Sequence, residues 1–280
     1  MHPFVPLAGG IVGFSLGLTG GGGAIFAVPL LVYVVGTTPR DAVGISLATV
    51  GITSFIGTIR SWRGGALELP TGFLFAAAGA LGTPAGAWLA QRVPEPVLLT
   101  LFGLLMLIVA ARMWKRPVGP TVTPASVSNP PDPHLPIADS GPACERNDGG
   151  RLLMTTRCRW LLLALGLFTG LLSGLFGVGG GFIIVPALVL FSGMAMNRAV
   201  GTSLFVITLL SAAGLGSQWL IGNPLDWSVI LPFSFGSLGG LLLGNRINRL
   251  IPETAMRRTF AAAILVVALF VIAKNTIFTL

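Results

Sequence analysis

The sequence breaks a long apolar segment in its middle, and it does so twice. Residues 17–29 read Gly-Leu-Thr-Gly-Gly-Gly-Gly-Ala-Ile-Phe-Ala-Val-Pro, and residues 174–186 read Gly-Leu-Phe-Gly-Val-Gly-Gly-Gly-Phe-Ile-Ile-Val-Pro. A continuous helix in lipid satisfies its own backbone, so a Gly-rich interruption at mid-segment is where such a helix tolerates disruption least. Broken backbone at membrane depth persists only where protein buries it or where it lines a cavity. These two breaks therefore constrain everything around them.

That the setting is a membrane follows from composition. Of 280 residues, 53% are hydrophobic and 9% charged, with a mean hydropathy of +0.87. Soluble domains carry about 25% charged residues. Apolar segments near the ~18-residue spanning threshold recur at 5–35, 42–59, 67–90 and 97–113, and the pattern restarts at Trp160. The net charge of +8 reflects few acids more than many bases. No basic, aromatic-interleaved soluble module is present for nucleic acid. The N-terminus lacks the basic region and cleavage site of a signal peptide, so the first apolar segment is expected to belong to the mature chain. Residues 117–150 are rich in Pro, Ser, Asn and Asp and read as a flexible linker. The expected organisation is repeat 1 over 1–116, the linker over 117–150 and repeat 2 over 151–280.

An offset of 157 pairs Gly13 with Gly170, Gly17 with Gly174, Gly20 with Gly177, Pro29 with Pro186, Ser46 with Ser203, Ser54 with Ser211 and Trp62 with Trp219. About nineteen identities over 13–63 mark a duplicated unit. Positive charge then distinguishes parallel from inverted copies, because Lys and Arg gather on the cytoplasmic side. If each broken segment crosses once, Arg198, Arg246, Arg249, Arg257 and Arg258 fall outside. If it returns to its side of entry, only Arg40, Arg92 and Lys274 of the 17 basic residues do. The second partition is favoured. Arms over 5–18 and 24–35 reach roughly 18–21 Å at 1.5 Å per residue, short of the ~30 Å hydrocarbon core. The expected fold is an all-α integral membrane protein of two inverted repeats, each a Gly-broken helical hairpin plus three transmembrane helices.

The second arm of each hairpin is expected to start after the glycines, at Ala24 and Phe182. Helix N-termini present free N–H groups and partial positive charge, and inverted-repeat transporters place substrate between two such breaks. The candidate anion site is Gly20, Gly21, Gly22, Gly23, Gly177, Gly179, Gly180 and Gly181, with Ser46 and Ser203 as hydroxyl donors. Thr49 and Thr202 lie nearby in the repeat frame. The competing role for glycine is packing, since Gly13-x-x-x-Gly17 and Gly170-x-x-x-Gly174 are small-xxx-small patterns. A membrane serine can equally bond its own helix. Trp62 and Trp219 read as interfacial anchors.

Other chemistry finds little support. His2 and His134 are the only histidines, so Ser173-Gly174, which superficially resembles an intramembrane serine protease, has no partner. No Gly-Lys-Ser/Thr follows the glycines, and no soluble βαβ unit exists for a dinucleotide. Cys144 and Cys158 lack metal or redox spacing, so neither a disulfide framework nor a zinc site is expected. No cofactor and no enzymatic activity are expected. Arg40, Asp41, Glu68, Arg198 and Asp226 all fall at segment ends, leaving no visible intramembrane proton relay.

On Gly-x-x-Gly-x-Gly-Gly-x-x-x-x-Val-Pro in both copies, and on Ala42-Val43-Gly44-x-Ser46 and Ala199-Val200-Gly201-Thr202-Ser203, the chain resembles the TauE/SafE family of membrane transporters. The resemblance covers the chain apart from the linker. It implies movement of sulfite or organosulfonates across the bacterial inner membrane, while the charge partition puts the linker on the cytoplasmic side. The expected partners are a small anionic substrate and the lipid bilayer. An anion channel and a membrane scaffold whose glycines only pack helices are the alternatives.

Overall fold

A computed structural model describes all residues except 1–3, 20, 116–155, 178, 193, 195, 221, 223–225, 249–261 and 275–280. The linker over 117–150 and Gly20 thus lie outside the described residues. Those described are helical throughout, apart from short turns. The elements are α1 (Phe4–Thr19), α2 (Ala27–Leu30), α3 (Pro39–Arg63), α4 (Leu69–Arg92), α5 (Glu95–Lys115), α6 (Thr156–Phe176), α7 (Gly181–Ser192), α8 (Met196–Leu220), α9 (Trp227–Asn248) and α10 (Ala262–Lys274). Five described helices are long and apolar enough to cross a membrane: α3, α4, α6, α8 and α9. Leu81, Phe235 and Leu220 are 77, 73 and 83% exposed. Such side chains on helix flanks suit hydrocarbon and not water.

Local chemistry sets the helix ends. Thr38 opens α3 by accepting the Asp41 N–H at 3.2 Å and donating to Asp41 Oδ2 at 2.7 Å. Pro39 follows at the first helical positions, where its missing N–H costs nothing. Asp226 opens α9 by accepting the Ser228 N–H at 3.0 Å. The second arm of the first hairpin is not one regular helix. It runs as a 3-10 turn over Gly22–Phe26, α2, and a π turn over Leu31–Val35. Pro29 has no N–H for the ladder and sits within the first turn of α2, where that loss is tolerated. Gly36, left-handed at φ 81°, ends the arm.

The halves exchange their hairpins. On α1, a Cβ at Gly9, Gly13 or Gly17 would land on the backbone of Phe233, Ser237 or Leu241 of α9. On α6, a Cβ at Gly166, Gly170 or Gly174 would land on Phe75, Gly79 or Thr83 of α4. The glycine positions on the two helices differ by the repeat offset, and both registers ascend, so each pair runs parallel. Lipid tails offer no hydrophobic drive for helix association. Close backbone approach through small residues supplies the dispersion contacts instead. The packing role anticipated for the Gly-xxx-Gly patterns holds at these positions.

Between the hairpins, α3 packs on α8. Gly214 meets Leu47, Gly51 meets Ser211 and Gly57 meets Leu204. One register rises as the other falls, so these two repeat-equivalent helices are antiparallel. Two hydroxyl contacts tie α3 to α9: Thr53 Oγ1 to Ser237 Oγ at 3.0 Å, and Ser234 Oγ to Thr49 Oγ1 at 3.2 Å. Trp62 and Trp219 stand exposed in the last turns of α3 and α8, as interfacial anchors would.

Cys158, buried in α6, is disulfide-bonded, and its partner lies outside the described residues.

Gly13→Ala and Gly170→Ala should each destabilise the purified protein by about 1–3 kcal/mol through overpacking, measured as a lowered melting temperature. Gly216→Ala, with nothing within 4 Å of the added carbon, should be neutral or slightly stabilising.

Candidate functional site at the helix breaks

The two breaks meet. A Cβ at Gly21 would lie 2.9 Å from the Gly181 carbonyl oxygen, and one at Gly181 would lie 2.6 Å from the Gly21 carbonyl oxygen. Only backbone without side chains can approach this closely. The helices that hold the breaks there are α3 and α8, whose buried faces cover them.

The second break takes its shape from left-handed glycines. Gly177, Gly179 and Gly180 have φ of 69°, 65° and 66°, a region that L side chains adopt only at a cost. Gly177 donates its N–H to Ser173 O at 2.8 Å, closing α6, and α7 then begins at Gly181. The Ile183 and Ile184 N–H groups both reach Gly180 O, at 3.0 and 3.2 Å. The N–H groups that open a helix have no place in its own ladder. Gly177 lies against Val43, and Gly179 against Val50, Ile207 and Ser211, whose Oγ is 3.6 Å from a Cβ at Gly179.

Hydroxyls without partners gather around this break. Among the described residues, Ser46, Ser54, Ser173 and Ser211 have buried Oγ atoms with no hydrogen-bond partner. All four side chains are fully buried. Ser46 lies between Val43 and Val50 at i+3 and i−4, so it shares the face of α3 that covers Gly177 and Gly179. Ser54 follows Val50 by one turn. Ser173 is the residue whose carbonyl receives the Gly177 N–H. An unpaired buried hydroxyl is costly and rare in native structures, and Ser211 places one directly beside this break.

The first break is arranged differently. Gly23 packs on Ser15 and Leu16 of its own hairpin. Its N–H donates to Thr19 Oγ1 at 3.1 Å, and Thr19 Oγ1 donates to Ser15 O at 2.7 Å. Gly22 lies in the 3-10 turn, so the arm begins as 3-10 rather than as the α-helix expected at Ala24. Along α8, Ser203 Oγ donates to Val200 O at 2.8 Å within its own helix. Thr202 Oγ1 accepts the Glu68 N–H at 3.1 Å. Of the sequence candidates, Gly21, Gly177, Gly179, Gly180, Gly181 and Ser46 are thus brought together, while Ser203 and Thr202 serve helix and turn backbone. Sequence reasoning passed over Ser173 and Ser211 as donors and Thr19 as a cap. The Ser54–Ser211 identity within the repeat was the available signal for the second serine.

Among the described residues, charge lies at the helix ends. At one end Arg40 pairs with Glu95 at 3.8 Å and donates to Gln91 O at 3.2 Å, and Arg92 covers the Trp88 ring at 3.6 Å. Lys274 stands 5.1 Å from the Tyr33 ring. At the other end Arg198 pairs with Glu68 at 3.5 Å.

A protein with five described helices of spanning length, closed around buried, glycine-built breaks, has the build of a membrane transporter. The family model for sulfite exporter TauE/SafE matches residues 5–271, and the chain belongs to that family. It is 33% identical over 277 residues to a probable membrane transporter protein of Xylella fastidiosa (strain 9a5c), covering 96% of this chain and 94% of the relative. It is 27% identical over 250 residues to the probable membrane transporter protein YunE of Bacillus subtilis (strain 168), covering 87% and 86%. No solved structure matches.

Ser211→Ala removes an unpartnered buried hydroxyl without creating a cavity of consequence. In the absence of any anion it should stabilise the protein by about 1 kcal/mol or more, seen as a raised melting temperature in anion-free buffer.

Proposed function

We propose that this protein carries a small oxyanion, sulfite or an organosulfonate, across the bacterial inner membrane by alternating access between two inverted repeats. The observation that carries the reading is the meeting of Gly21 and Gly181, with the buried, unpartnered Ser211 hydroxyl beside Gly179. Hydroxyl and N–H donors at a dry helix break stabilise negative charge without a buried Lys or Arg. Donors to a charged acceptor are stronger than neutral pairs. The proposed site lies where the glycines of the two breaks meet, with the Ser46 and Ser211 hydroxyls of α3 and α8 beside it. The family description supplies the sulfur oxyanion as cargo.

The antiparallel course of α3 and α8 supports an inverted relation of the two halves, since copies related by an axis along the membrane normal would run parallel. The gathering of Arg40, Arg92 and Lys274 at or near one end supports placing that end outside, with the linker on the cytoplasmic side. Alternation then moves the break between the two mouths, one bordered by the Arg40–Glu95 pair and the other by the Arg198–Glu68 pair.

Counterflow in proteoliposomes tests this. With sulfite or sulfoacetate trapped inside, labelled external substrate should accumulate transiently above equilibrium. Gly179→Ala, which puts a methyl into a left-handed position 3.0 Å from Ile207 Cγ2, should abolish the overshoot while leaving the protein in the membrane. Flux without overshoot would identify a channel. Loss of assembly in Gly179→Ala, with no flux in the wild type, would identify a scaffold.

A further inference from the structure

We infer that the two breaks are not equivalent: a single anion is held at the second break, by Ser46, Ser173 and Ser211, while Thr19 fills the corresponding position at the first. This rests on the proposed anion transport and assigns its binding residues. The repeat offset pairs Thr19 with Phe176 and Leu16 with Ser173. At the first break the Thr19 hydroxyl takes the Gly23 N–H at 3.1 Å, the bond an anion would otherwise receive. It passes its own proton to Ser15 O at 2.7 Å, so the Gly23 N–H is satisfied from within the chain. At the second break the equivalent residue is Phe176, whose ring packs 5.4 Å from that of Phe102 and offers no acceptor.

Two of the three hydroxyls follow the same asymmetry, at Ser173 and Ser46, whereas Ser54, the repeat mate of Ser211, is also buried and unpartnered. Ser173 replaces the apolar Leu16 beside the left-handed Gly177. Ser211 Oγ comes within 3.6 Å of a Cβ at Gly179, fully buried and unpartnered. Ser46 faces the same glycines from α3, whereas its repeat mate Ser203 is committed to Val200 O at 2.8 Å. The second break therefore combines the helix N-terminus of α7, three left-handed glycines and hydroxyl donors in need of an acceptor. The ligand this set takes is an oxyanion with several acceptor oxygens around one centre, such as a sulfite or a sulfonate headgroup. Hydroxyl donors are neutral and leave the anion's charge largely uncompensated, which keeps binding weak enough for release.

The test measures affinity for sulfite and for sulfoacetate on the purified full chain, by thermal shift and by calorimetry, alongside counterflow. Ser46→Ala and Ser211→Ala should each weaken binding by roughly 10-fold or more, as loss of a bond to a charged group does. Ser211→Ala should at the same time melt higher than wild type without anion, a combination that a merely structural serine does not give. Thr19→Val should melt lower but bind within about 2-fold of wild type, since it loses only the bond to the Gly23 N–H, and Thr19→Ser should restore the melting temperature. Equal weakening by Thr19→Val and Ser211→Ala would overturn the asymmetry in favour of a two-break site. Wild-type counterflow with unchanged affinity in both serine variants would overturn the assignment while leaving transport standing. Neither binding nor counterflow of either anion by the wild type would remove both.

Discussion

Backbone polar groups released at mid-bilayer have no water to turn to, and each left unsatisfied in hydrocarbon costs several kcal/mol. That constraint organises this protein. Two hairpins end their first arms at glycine turns, and everything outside them keeps those turns away from lipid. The α3–α8 pair covers the turns, and α9 and α4 hold the outer arms by direct backbone contact. The long helices outside the hairpins, α3, α4, α8 and α9, are in this sense the casing of two short interruptions.

Much of this was legible in the sequence because it is written in residue types with few alternative meanings. A Gly run inside an apolar segment, repeated at a fixed offset and followed by Val-Pro, implies a buried break. Gly13, Gly17, Gly170 and Gly174 at four-residue spacing imply close helix packing. Thr38-Pro39-Arg40-Asp41 implies a capped helix start. Family membership followed from the doubled motif, and the match over residues 5–271 agrees with it.

What escaped the sequence depends on helix rotation and on distinctions within the repeat. Which half supplies the partner of α1 is invisible in a linear reading, because both α4 and α9 are apolar and Gly-rich. The 3-10 and π turns around α2 arise from Pro29 and from how the arm fits beneath α3. Hydroxyls on α3 differ in fate by single helical steps: Thr49 and Thr53 meet Ser234 and Ser237, while Ser46 and Ser54 meet no acceptor. Periodicity marks such positions as buried but does not say what lies opposite. The pairing of Thr19 with Phe176 was readable all along, yet its meaning required seeing where the Gly23 N–H points.

The exchange of hairpins between halves carries a consequence for how the chain is made. Gly9 emerges from the ribosome long before Phe233, and the glycine face of α1 has no other partner that fits it so closely. The first half must therefore wait in the membrane with its broken arm incompletely covered until α9 is inserted. Contacts this distant in sequence form late and slowly. Biogenesis of the second half thus completes the first, and insertion machinery or lipid must shelter the open hairpin in the interval.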